Sequence, residues 1–123
     1  MSHMTLIEWR VHDLDMLKTI AEQHGCTHHT RGHARYWNNA RQKADYTIEV
    51  PQSVHDIALN QTADGWEVSY DYYGNPGRIT HAMCGELYAD YNKQMAMQAA
   101  LLDGLNVNVE EQGHLVRLTL TEQ

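Results

Sequence analysis

The residues from Gly74 onward constrain this chain most. Gly74-Asn75-Pro76-Gly77 punctuates the sequence, and Cys84, Leu87, Tyr88, Tyr91, Met95, Ala99 and Leu102 then follow at spacings of three and four. That period predicts one long helix over about 78–103, with Gly104 as its stop. In a chain of 123 residues, such a helix leaves material for a single domain around it, because two halves would each be too small for a good core.

Elsewhere the period is two. Thr5, Ile7, Trp9 and Val11 alternate with less buried positions. In 45–50, Tyr46, Ile48 and Val50 point inward and Asp45, Thr47 and Glu49 outward, and Pro51 ends the run. Two further strands, 56–60 and 66–72, flank the turn at 62–65, with Trp66, Val68 and Tyr70 on one face. Asp13 reads as the N-cap of a short helix carrying Leu14, Leu17, Ile20, Ala21 and His24, which Gly25 ends. Segment 26–37 has no helical stripe and holds Gly32, so it reads as strand or a loose hairpin. Segments 105–109 and 114–120 close the chain as a hairpin around 110–113. The order β-α-β-β-β-β-α-β-β predicts an α+β domain over 1–123: an antiparallel sheet with both helices packed on one face.

Composition excludes several classes. A hydrophobic fraction of 42% suits a globular protein and not a disordered one. No apolar run approaches the ~20 residues of a membrane span, and the start lacks the basic and apolar regions of a secretory signal. Cys26 and Cys84 are too few for a disulfide framework, so free thiols and a cytoplasmic location are expected, with a bridge between them as the alternative. If Met1 is kept, Met1-Ser2-His3 offers a copper or nickel chelate, but small Ser2 favours removal of Met1 and the loss of that geometry.

Several short stretches carry a resemblance along the whole chain: Met1-Ser2-His3, His24-Gly25, Arg31-Gly32, Ala44-Asp45, Asp71-Tyr72-Tyr73-Gly74 and Leu102-Asp103-Gly104. In this order they resemble a small, uncharacterised conserved-reading-frame family of chloroplast genomes, cyanobacteria and phages whose members open Met-Ser-His-Phe. Met4 stands where that family has Phe, His33 where it has an aromatic residue, and Tyr72-Tyr73 where it has a Trp pair. The resemblance implies the architecture and a native N-terminus, and it carries no activity. It also makes Arg31-Gly32 the shared element, with the neighbouring histidines as local variation.

Residues 24–37 hold four histidines and a cysteine. On a strand, His24, Cys26 and His28 would share a face and could ligate zinc, with a fourth ligand from His81, Cys84 or Glu86. Solvated surface histidines are the plainer reading, and no cofactor is expected. Charge says more. The net charge is −7, yet residues 23–44 contain Arg31, Arg35, Arg41 and Lys43 and no acid. Tyr36 and Trp37 lie among them, and aromatics beside Arg can stack unpaired bases. The competing reading is a basic loop resting on the protein's own acidic surface. Tyr72 and Tyr73 are a second candidate contact, since one ring of two adjacent strand residues must face away from the core. Gly77 and Arg78 could receive an anion at the start of the long helix, although no P-loop ending follows. Ser53, His55 and Asp56 lack a nucleophile elbow, and no catalytic residues are assigned. The expectation is an accessory or adaptor protein that binds another macromolecule, a protein first. A nucleic-acid or anion-binding module over 31–43 and a metal-binding protein are the alternatives. A homo-oligomer is compatible with the sequence, and a membrane partner is not expected.

Overall fold

The computed structural model describes residues 4–30, 32–102, 105–112 and 115–122, the last two stretches as backbone. Strand β1 (Met4–Val11) leads into helix α1 (Leu14–Gln23). Strands β2 (Thr27–His29), β3 (His33–Tyr36), β4 (Ala40–Lys43), β5 (Tyr46–Glu49), β6 (Ile57–Thr62) and β7 (Gly65–Asp71) follow. Helix α2 (Gly74–Leu102) and strands β8 (Leu105–Gln112) and β9 (Leu115–Glu122) complete the order. The class is α+β, as expected. Six strands separate the helices instead of four, because 26–43 folds into one edge strand plus a separate hairpin.

Five strands form an antiparallel sheet in the order β1-β7-β6-β5-β2, while β3-β4 and β8-β9 are two-stranded sheets of their own. The closing hairpin is longer than expected. Glu110 and Glu111 pair with Arg117 and Val116 inside the ladder instead of making the turn.

Local chemistry sets the helix ends. Asp13 Oδ1 accepts from Met16 N at 3.0 Å, as an N-cap should. At the other end of α1, Gly25 takes φ 82°. Cys26 N then donates to Ala21 O at 2.9 Å and Gly25 N to Glu22 O at 3.0 Å, the two bonds of a Schellman motif. Helix α2 starts four residues earlier than Arg78. Pro76 fits a first turn, where an amide hydrogen has no partner anyway. Gly77 is needed there because a Cβ would stand 2.2 Å from the Tyr72 carbonyl carbon.

Both helices pack on one face of the sheet. Leu17, Ile20 and Ala21 of α1 join Cys84, Leu87 and Tyr91 of α2 against Trp9, Ile48, Leu59, Val68 and Tyr70. Tyr91 also ties the layers with its polar tip: its hydroxyl oxygen accepts from His12 N and Asp13 N, each at 3.0 Å. Tyr88 and Tyr91 meet the Trp9 ring edge-on, at 5.3 and 5.6 Å between centroids.

The opposite face is covered as well. Thr47, expected to face outward, is fully buried, and a small apolar cluster of Ala34, Ala44 and Ala58 seats the β3-β4 hairpin there. Small side chains let the second layer approach the sheet closely.

Candidate functional site

The hairpin is held by buried carboxylates. Asp56, 1% exposed, accepts from Arg35 Nε at 3.0 Å, from an Arg35 terminal nitrogen at 2.7 Å and from Arg35 N at 2.9 Å. Asp56 N returns a bond to Arg35 O at 3.0 Å. Glu49 takes a further guanidinium contact at 3.1 Å. The Asp56 hydrogen bonds raise the Arg35 pKa, burial opposes them, and the Asp56 and Glu49 charges add to the rise. Arg35 is therefore an internal clamp whose guanidinium faces its own protein. Of the other basic candidates, Lys43 and Arg41 are exposed, Arg41 contacts the His33 ring, and Arg31 lies outside the described residues.

A second carboxylate organises the exposed tip. Trp37, Asn38 and Asn39 make the turn between β3 and β4, with φ of 59° and 58° at the two asparagines, a conformation Asn tolerates better than most residues. Asp71, at the end of β7 and 1% exposed, accepts from Trp37 N at 3.0 Å and from Tyr73 N at 2.9 Å. One buried side chain thus fixes its own end of β7 to a backbone segment 34 residues away. The Trp37 and Tyr73 rings meet edge-to-face at 4.7 Å and 75°. Trp37 remains 40% exposed and Tyr73 51% exposed.

Strand β7 stops at Asp71, so neither tyrosine continues it as expected, and both rings reach solvent. Tyr72 packs on His81 at 4.5 Å, while Tyr36 is half-buried on the hairpin. Behind Trp37 lies His55, fully buried, with its ring edge-on to the indole at 6.2 Å. His55 Nδ1 donates to Asp71 O at 3.0 Å, and Nε2 has no hydrogen-bond partner among the described residues. Ser53 Oγ lies 2.7 Å from Thr80 Oγ1 and accepts from His55 N at 3.0 Å. Its hydroxyl bonds the His55 backbone and not the imidazole, and Asp56 faces Arg35. The three neighbours in sequence are packing groups, without the nucleophile-to-base contact of a triad.

The histidine crowd separates on folding. His24 is the α1 C-cap, not a strand residue, and its Nε2 lies 2.6 Å from Asp90 Oδ2. His28 bridges Glu22 and the Tyr46 hydroxyl, and His29 faces Glu49 at 3.4 Å. Cys26 is buried between them, and burial first, then Glu86, pushes its thiol up to about 11, away from the thiolate that binds metal. Among the described residues, no group of three or more His, Cys, Asp or Glu is arranged to hold a metal ion. Gly77 is packed against Tyr72 and its N–H donates to Tyr73 O at 3.2 Å, so it offers no free donor to an anion. Arg78 is exposed one residue further on.

The sequence singled out Trp37 and Tyr73 separately, and the fold joins them. It named Asp56 and Asp71 but not as buried anchors, a role that leaves no trace in the sequence. Asn38-Asn39 between two short alternating runs was the available signal for the hairpin. The chain matches no family model, no curated protein and no solved structure. Among the described residues no helix is long and apolar enough to cross a membrane.

Proposed function

We propose that the protein is an accessory or adaptor protein that docks a protein partner on the Trp37–Tyr73 pair. The observation that carries this reading is the shared Asp71 anchor: one buried carboxylate holds the backbone amides of two half-exposed aromatic residues, whose rings pack edge-to-face on each other. Rings fixed before binding lose little conformational entropy on association, which is what makes Trp and Tyr effective interface anchors. A protein is favoured over single-stranded nucleic acid for two reasons. Arg35 is occupied internally, and the edge-to-face packing of Trp37 on Tyr73 covers ring surface that a base would need for stacking. Both cysteines are free and buried, which suits a cytoplasmic setting.

The test is affinity purification from the native cell with wild-type protein and with Trp37→Ala/Tyr73→Ala, after both show the same circular dichroism. The proposal expects a stoichiometric protein retained by the wild type and lost by the double variant. Identical recovery by both would refute it.

A further inference from the structure

The Trp37–Tyr73 contact joins two acid-free stretches of an acidic chain. Residues 23–44 and 72–85 contain none of the sixteen Asp and Glu but five of the nine Lys and Arg: Arg31, Arg35, Arg41, Lys43 and Arg78. The hairpin tip belongs to the first stretch and the start of α2 to the second. They touch where Trp37 meets Tyr73 and Gly74, whose added Cβ would lie 3.0 Å from the indole. Two carboxylates beside the hairpin are turned inward: Asp71 onto two backbone amides, Asp56 onto Arg35.

Arg41 and Lys43 are exposed on the hairpin. Arg78 is exposed in the second turn of α2, the helix whose start lies against Trp37, and helical side chains slant toward the N-terminus. No acid occupies the first turn of α2, so the positive end of a 29-residue helix adds to the same field.

Resting on the docking reading above, we infer that the segment received by Trp37 and Tyr73 is acidic, a short stretch of Asp or Glu interleaved with apolar residues. The apolar residues cover the two rings while the carboxylates meet Arg41, Lys43 and Arg78. The basic island is small and the remainder of the chain is strongly acidic. A compact acidic segment therefore fits, whereas an extended polyphosphate would run onto like charge.

The experiment uses three fluorescent probes: a blocked 12-residue peptide alternating Glu and Leu, its Lys counterpart, and a 12-nucleotide oligothymidylate. Each is titrated by anisotropy into wild-type protein, Trp37→Ala, and Arg41→Glu/Arg78→Glu. The inference expects binding of the acidic peptide alone, weakening with salt, and roughly tenfold weaker in the charge-reversed variant. Acidic-peptide binding that is lost in Trp37→Ala but unchanged by charge reversal overturns the acidic-partner inference and leaves the docking site standing. Loss on charge reversal with no effect of Trp37→Ala overturns the aromatic docking site instead. Preference for the oligonucleotide, or no binding of the acidic peptide, overturns the inference outright.

Discussion

The two faces of the five-stranded sheet are covered by different physics. On one face α1 and α2 bury a continuous apolar layer from Trp9 to Tyr91, where each large side chain contributes about 1.5–3 kcal/mol by leaving water. On the other, the β3-β4 hairpin buries three alanines and is fixed by Asp56 on Arg35 and Asp71 on two amides. An apolar layer spreads its stability over many replaceable contacts. A carboxylate anchor concentrates it in a few groups, each of which takes several hydrogen bonds with it when removed.

That contrast can be broken most sharply at Asp56. Asp56→Ala leaves Arg35 with Glu49 in place of its bidentate partner and is expected to lower stability by about 3 kcal/mol, read as a shift of the urea midpoint. A loss below about 1 kcal/mol would mean that the hairpin stays in place without the clamp. On the helix side, Leu87→Ala, at a fully buried position, should cost about 3 kcal/mol by cavity formation, with the hairpin amides still protected from exchange.

Alkaline pH separates the faces without mutation. Burial raises the Cys26 thiol to about 11 and the Cys84 thiol to about 12 from an ordinary 9.0. Both lie in the helix-side core. Between pH 9 and those values the unfolded chain has lost these protons and the folded chain has kept them, so stability falls as pH rises. It is fully present below pH 9. Cys26→Ala should flatten the decline between 9 and 11 in urea titrations, and an unchanged slope would remove Cys26 from the account. A smaller effect is expected at the α1 cap, where Asp13→Ala removes the bond to Met16 N and about 1 kcal/mol. The smallest belongs to Arg41→Glu on the exposed side of the hairpin, which should leave the urea midpoint where it is.

The helix-side layer was legible in the sequence because apolar periodicity reports a single buried face. Tyr46, Ile48, Trp66, Val68 and Tyr70, with Asp13 and Gly25 at the helix ends, stand on the elements and faces their spacing implies. The hairpin side was not legible. Thr47 and Asp56 carry no apolar signal, and their burial depends on a layer recruited by polar bonds between distant residues. Arg35 reads in sequence either as part of a basic contact surface or as part of a basic loop on the protein's own acidic surface, and its position opposite Asp56 and Glu49 matches the second for that residue. Tyr73 and Trp37 were each visible as candidates; their meeting depends on Asp71, which acts across 34 residues.

Amide hydrogen exchange at Trp37 and Tyr73 tests the central claim most directly. Both lie on exposed turns yet donate to one buried carboxylate, so their exchange is expected to be slowed on the order of a hundredfold relative to a free turn, with Asp71→Ala releasing both amides together. Exchange at the free-turn rate in the wild-type protein would contradict a preorganised aromatic site.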